Sequence, residues 1–360
     1  MPRRLASDPV AEHSHRWTQG SLLAAVLLLM LLSAGGGNVR AAFTPDRVWF
    51  TPSPGSIDYV DLFQRPEEWP HARQLFSVFK FYQQHTQTPA PAVVGPNSYT
   101  ALANAGAFRT LVRWGKKIAI EEPAVKEYYC TADASGMNTS IADTLASIGA
   151  VERAGGIVSY LAMDEPFASG RAPACGGPAL EPTADRVAVY MSGVRAARPS
   201  VQIGLIEAYP VSSESEIETM LDLLRTRNAA PVFLHLDIDL NAVRQVHVDV
   251  TADMRRLRTA CAAAGLKFGV IVWGNNGDAD ALYALDAGRL VNAIAEAFPT
   301  SADLPDQIIV QSWAVSRTGA SITPTNLPES AQYTHTNLLW SFYRRLVGET
   351  GASAGGARSR

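Results

Sequence analysis

Short β-rich runs alternate with longer amphipathic segments from Val48 to about residue 347, and this alternation constrains the fold more than any other feature of the chain. Strands are expected at 47–51, 92–94, 117–121, 158–163, 202–207, 232–239, 267–273 and 307–313. Helical patterns are expected at about 68–86, 98–114, 139–154, 183–198, 213–228, 250–264, 279–298 and 334–347, one for each strand. Right-handed strand–helix units of this kind either close at eight strands or stay an open doubly wound sheet. The open sheet usually carries a glycine-rich phosphate turn after an early strand, and Thr51-Pro52-Ser53-Pro54-Gly55 lacks that spacing. The expectation is a closed (β/α)8 barrel, a single α/β domain over residues 43–347.

The chain ends read differently. Arg3, Arg4 and Arg16 precede an apolar run from Leu22 to Leu32, followed by the small-residue stretch Val39-Arg40-Ala41-Ala42. Residues 1–42 therefore read as a secretory signal peptide, with an uncleaved anchor as the alternative, since the run is shorter than the roughly 20 residues of a membrane span. No other stretch could span a membrane, so no stable insertion is expected after cleavage. Removing four Arg and two acids (Asp8, Glu12) leaves 31 − 4 = 27 basic and 34 − 2 = 32 acidic residues, a net charge of −5. That sign argues against a nucleic-acid partner. Residues 348–360, rich in Gly, Ala, Ser and Arg, read as a disordered tail.

Export places Cys130, Cys175 and Cys261 in an oxidising space, which allows one disulfide and one thiol. Cys130 and Cys175 lie in loop-like segments and Cys261 in a helical pattern between Leu257 and Leu266, so Cys130–Cys175 is the expected bridge. Three unpaired cysteines are the alternative.

In such barrels the reactive groups sit at the C-terminal strand ends. Here those ends are polar: Glu121-Glu122-Pro123, Asp164-Glu165-Pro166, Glu207-Ala208-Tyr209, His235-Leu236-Asp237-Ile238-Asp239, Trp273-Gly274-Asn275 and Gln311-Ser312-Trp313. Cleaving a glycosidic bond needs a protonated acid for the leaving oxygen and a carboxylate for the developing oxocarbenium charge. Tryptophan offers a flat apolar face for a sugar ring. Glu165, Asp164, Glu207 and Asp237 are accordingly the candidate catalytic acids. Trp273, Trp313, Tyr209, Asn275, Gln311 and Asp239 are the candidate substrate contacts. Pro166 biases Glu165 away from helical geometry, and apolar neighbours would raise its pKa toward neutrality.

With Asp164-Glu165-Pro166 closing the fourth strand, the sequence resembles the large superfamily of secreted bacterial TIM-barrel glycoside hydrolases. Many of them end that strand in an acidic or amide residue followed by Glu-Pro, the Glu being the acid/base. The resemblance implies a carbohydrate substrate, no cofactor, and Glu165 as general acid/base over a domain of about residues 44–347. Its usual nucleophile is a Glu ending strand seven, where this chain has Trp273-Gly274-Asn275.

Two routes around that departure stand open. Glu207 or Asp237 would be the second carboxylate, or Asp164 and Glu165 would act as the Asp-Glu pair of substrate-assisted N-acetylhexosaminidases, where a substrate acetamide attacks. A non-catalytic carbohydrate-binding barrel is the rival from another class. His235, Asp237 and Asp239 alternate onto one strand face and could ligate a cation, but the remaining histidines supply no clustered partner, and no metal is expected. Any strand-end acid also suits a humbler role, capping a helix or bonding a loop amide. Glu121 and Glu122 follow Lys116-Lys117 and equally suit ion pairs.

Overall fold

The computed structural model describes residues 43–300, 302–314 and 324–348. The segment read as an export signal and residues 349–360 of the tail lie outside the described residues. Eight parallel strands close into a barrel in chain order: β1 (Val48–Thr51), β2 (Val78–Tyr82), β3 (Lys117–Glu122), β4 (Val158–Asp164), β5 (Gln202–Tyr209), β6 (Phe233–Ile238), β7 (Lys267–Val272) and β8 (Gln307–Gln311). The register Val48↔Ile308 to Thr51↔Gln311 joins β1 to β8 and completes the ring. This is a single-domain (β/α)8 barrel.

The second strand corrects the expectation. It is Val78–Tyr82, inside the stretch read as a helix over 68–86, while Ala92–Val94 forms one 3-10 turn. In Val78-Phe79-Lys80-Phe81-Tyr82 every residue is buried, so the run is apolar at nearly every position and shows no helical or strand period. Phe79 and Phe81 pack in the outer core, whereas Lys80 bonds Glu121 inside the barrel.

The outer layer comprises α1 (Asp61–Gln64), α2 (Tyr99–Asn104), α3 (Ala107–Arg113), α4 (Ser135–Arg153), α5 (Pro166–Gly170), α6 (Leu180–Ala197), α7 (Glu214–Thr226), α8 (Leu240–Val246), α9 (Val250–Ala263), α10 (Asp280–Ala297) and α11 (His335–Leu346). Local chemistry fixes their ends. The Ser213 hydroxyl accepts from the Glu216 amide and Glu216 reciprocates, a capping box that starts α7, after which Ile217, Met220, Leu221 and Leu224 form its buried stripe. Between β1 and β2 the chain has only α1 and 3-10 turns, so the expected one-helix-per-strand pattern fails there.

Burial divides into two cores. The larger lies between barrel and helices. A smaller one fills the barrel: Trp49, Val78, Ala119, Tyr160, Ala162, Ile206, Phe233, Ile271 and Ile309, with Trp273 and Trp313 packed on it. Cys130, beyond β3, is bonded to Cys175, beyond α5, with their Cα atoms 4.8 Å apart, and Cys261 is a buried free thiol. Among the described residues no helix is long and apolar enough to cross a membrane.

Candidate active site

Strand alternation decides which acids meet. On β3, Ile118 and Ile120 face the outer core and Ala119 the inner one, so Glu121 points into the barrel and Glu122 away from it. On β6, Leu234 and Leu236 face out, leaving Asp237 inside. On β5, Ile206 is inward, and Glu207 and Tyr209 share the outward face of Ile203 and Leu205.

Glu165 breaks the rule. Continued alternation would send it outward with Met163, but its backbone sits at φ 47°, ψ 50°, the left-handed region that costs a non-glycine residue on the order of 1–3 kcal/mol. That turn brings it to the cavity at the strand ends. The Glu165 amide donates to the Ile206 carbonyl at 3.1 Å and its carbonyl accepts from the Ser169 amide at 3.0 Å, while Pro166 opens α5.

The cavity encloses about 320 Å³ and is lined by Tyr82, Glu121, Asp164, Glu165, Asp237, Gln311 and Trp313, with Pro54, Gln84, Val93 and Ile206 completing the wall. Burial, reinforced by the charge of Asp164 and opposed by Lys126, pushes the Glu165 carboxyl up to about 7. Asp237 is raised well above the usual carboxylate range, first by burial and then by the charge of Glu165. The two carboxyls are in hydrogen-bonding contact, and such a bond between acids requires a proton on one of them. The pair therefore behaves as a unit that retains one proton near neutral pH. Asp164 is ion-paired with Lys126 at 2.9 Å. Glu121 is bonded to the fully buried Lys80 and accepts from the Gln311 amide at 3.3 Å. Trp313 forms the aromatic side of the cavity, its ring centroid 4.4 Å from that of Trp273.

The structure thus brings together five of the sequence-selected residues at the cavity wall, Asp164, Glu165, Asp237, Gln311 and Trp313, with Trp273 packed on the last. The others lie elsewhere. Glu207 is fully buried behind the wall, where its Oε1 accepts from the Phe167 amide at 2.9 Å, fixing the start of α5. Tyr209 points into the helical layer and donates to Asp253 of α9. Asp239 caps α8 by accepting from the amides of Asn241 and Ala242, and also accepts from Asn275 at 2.9 Å, so these two bond each other.

His235 lies deeper, against Trp49 and hydrogen-bonded to Gln307 at 2.8 Å, its pKa lowered to about 3 by burial. It shares no ligand set with Asp237 and Asp239, and among the described residues no group of three His, Cys, Asp or Glu side chains is arranged to hold a metal. Sequence reasoning missed Lys80, Tyr82 and Lys126, and paired Glu121 with neighbouring lysines although its partner is Lys80. The signal for Lys80 was a lone charge between Phe79 and Phe81, which strand alternation turns to the opposite face from those two rings.

No protein-family model matches the sequence, and no curated protein does. Solved structures do. An endo-β1,6-glucanase aligns with a TM-score of 0.54 at 11% identity, covering 86% of this chain and 78% of that one. A glucosidase from Croceicoccus marinus aligns at 0.53 and 13%, covering 85% and 68%. A GH5_18 protein from Streptomyces cattleya, solved in complex with GlcNAc, aligns at 0.51 and 12%, covering 87% and 82%. What the chain shares with these proteins is the barrel fold of glycoside hydrolases.

Proposed function

We propose that the protein is a glycoside hydrolase in which Glu165 protonates the leaving oxygen of a glycosidic bond. The observation that carries this reading is a carboxyl raised to about 7, in contact with a second acid and beside a tryptophan wall, at the C-terminal end of a (β/α)8 barrel. As the C–O bond breaks, Asp164 and Asp237 face the positive charge growing on the anomeric carbon, and the proton of the incoming water returns to the Glu165–Asp237 pair. Glu165→Gln is expected to lower reducing-sugar release from a confirmed substrate by about 10²–10⁴-fold. Activity is expected to fall as pH rises through about 7, where the acid loses its proton. Undiminished release by the Gln variant rejects the assignment. The proposed place of work is secreted or periplasmic, in support of which stand the reading of residues 1–42 and the Cys130–Cys175 bond.

One observation favours a second reading. The end of β7 carries Trp273-Gly274-Asn275 and no acid, so the place where the resembled hydrolases carry their nucleophile holds no carboxylate. That absence suits attack by a substrate acetamide oriented by Asp164, or a barrel that binds sugar without turnover. Calorimetric titration against a glycan panel, run beside the reducing-sugar assay, separates them: binding without release identifies the second.

A further inference from the structure

Glu121 stands near the end of β3, where the strand ladders on both sides fix its backbone opposite Tyr82 of β2 and Ala162 of β4. Its side chain enters the barrel and meets the ammonium of the fully buried Lys80 and the amide of Gln311, the latter at 3.3 Å. Both bonds end on Oε2. Oε1 has no donor among the described residues and is not one of the enclosed polar atoms, so it faces the cavity that Glu121 lines. Asp237 differs in this respect, its Oδ1 being enclosed.

We propose that Glu121, kept ionised by Lys80, is the carboxylate that attacks the anomeric carbon while Glu165 protonates the leaving oxygen. The proposal rests on the hydrolase reading given above and supplies the carboxylate that the end of β7 lacks. The other acids are committed elsewhere. Asp237 shares a proton with Glu165, Asp164 is paired with Lys126 at the rim, and Glu207 lies behind the wall. Burial raises the Glu121 carboxyl, and Lys80 is the strongest influence opposing it. An amine and a carboxyl differ by about 6 pKa units in water, so a pair buried together leaves the proton on nitrogen and the charge on Glu121. Oε2 is then held by two donors, and the lone pairs of Oε1 are left for the sugar. As the bond from Oε1 to the anomeric carbon forms, the glycosidic C–O bond breaks and its oxygen takes the Glu165 proton. Water then cleaves the resulting ester: its hydroxyl stays on the sugar, its other proton returns to the Glu165–Asp237 pair, and Glu121 leaves as a carboxylate.

The test is release of nitrophenol by the intact protein from a panel of nitrophenyl glycosides. Nitrophenolate leaves with little help from an acid, so Glu165→Gln is expected to lose less than about 10²-fold in kcat/KM on this panel. Glu121→Gln is expected to lose at least about 10³-fold. Azide, taking the vacated place in Glu121→Ala, is expected to raise that variant's turnover at least about tenfold and to leave a glycosyl azide. The charged and titratable groups facing Glu121 among the described residues are Lys80 and Tyr82 on β2, Lys126 after β3, Asp164 and Glu165 at β4, and Asp237 on β6; Lys80 is the cation bonded to it. Lys80→Met is therefore expected to move the rising limb of the pH profile, where the attacking carboxyl ionises, upward by at least about one pH unit. Glu121→Gln leaves a buried ammonium unpaired and is expected to melt below the wild type, whereas Lys80→Met combined with Glu121→Gln removes both charges and is expected to recover the melt while staying inactive. A Glu121→Gln variant within about tenfold of the wild type, no azide rescue, or an unmoved limb in Lys80→Met overturns the proposal and leaves the hydrolase reading standing. Where the wild type acts only on the glycans of the reducing-sugar assay, the Glu121→Gln loss on those glycans decides in the same way. A wild type inactive on both overturns the hydrolase reading and this proposal with it.

Discussion

Glu165 and Glu207 are both acids at strand ends, yet they face opposite sides of the barrel wall. Glu207 is pushed up to about 8, chiefly by burial, so near neutral pH it is protonated and a glutamine closely imitates it. Its Oε1 holds the Phe167 amide and thereby the left-handed turn that presents Glu165. Glu207→Gln is expected to keep kcat within about tenfold and leave the pH profile in place, whereas Glu207→Ala strands the Phe167 amide, costing about 1–3 kcal/mol of stability and lowering kcat as Glu165 loses its setting. Steady-state rates across pH and thermal melts of both variants decide it. A Gln variant as inactive as Glu165→Gln would mean that Glu207 itself handles a proton. The separation was legible in the sequence: Ile203, Leu205, Glu207 and Tyr209 share one parity, as do Ile118, Ile120 and Glu122. Glu165 was not legible that way, because a positive φ overrides the two-residue period and only the following proline hints at a break.

Among the elements, β4 and its following turn depend on a cross-link. The bond between Cys130 and Cys175, 45 residues apart in the chain, ties the segment after β3, which carries Lys126, to the segment after β4, which carries Glu165. Loop-closure entropy for such a span gives about 2–4 kcal/mol. Cys175→Ser is expected to lower the melting temperature under non-reducing conditions, and reductant is expected to bring the wild type down to it without moving the variant. Equal melts with and without reductant in the wild type would show that the bond constrains nothing. Seven of the eight strands were readable, six of them because each is flanked by turn residues and a periodic helix. β2 was not, since its aromatic run hides the period and α1 with its 3-10 turns offers no helical stripe before it. Missing β2 also hid Lys80, and with it the reason that Glu121 can stand at the cavity floor.

Across the whole molecule, acids buried in the wall make stability depend on pH. Glu122 accepts from Thr144 behind β3 and is pushed up to about 8 by burial, as Glu207 is behind β5. In the unfolded chain both titrate near 4.3, so the folded state holds their protons more tightly. Their contribution is complete below about pH 4.3 and is lost as pH rises through about 8, on the order of a few kcal/mol for each group. Asp133, Asp249 and Glu216, whose pKa values are lowered chiefly by hydrogen bonds, act in the opposite sense, but they have gained their full effect once pH passes the ordinary carboxylate range. The buried His85, His235 and His335, lowered to about 4, 3 and 3 by burial, also act in the opposite sense until pH passes about 6.5. Above that the buried acids are left to set the slope, and because one closed barrel shares a continuous outer core, deprotonating them weakens the cooperative unit and not a loop. The melting temperature is expected to fall from about pH 6.5 to about pH 9, most steeply near 7 and levelling off beyond 8. Glu122→Gln, which removes one of these protons from the balance, is expected to melt above the wild type at the alkaline end and close to it at the acid end. Melts recorded at intervals across that range test both statements, and a wild-type curve that is flat, or a Gln variant that parallels it throughout, would show that Glu122 ionises without cost to the fold.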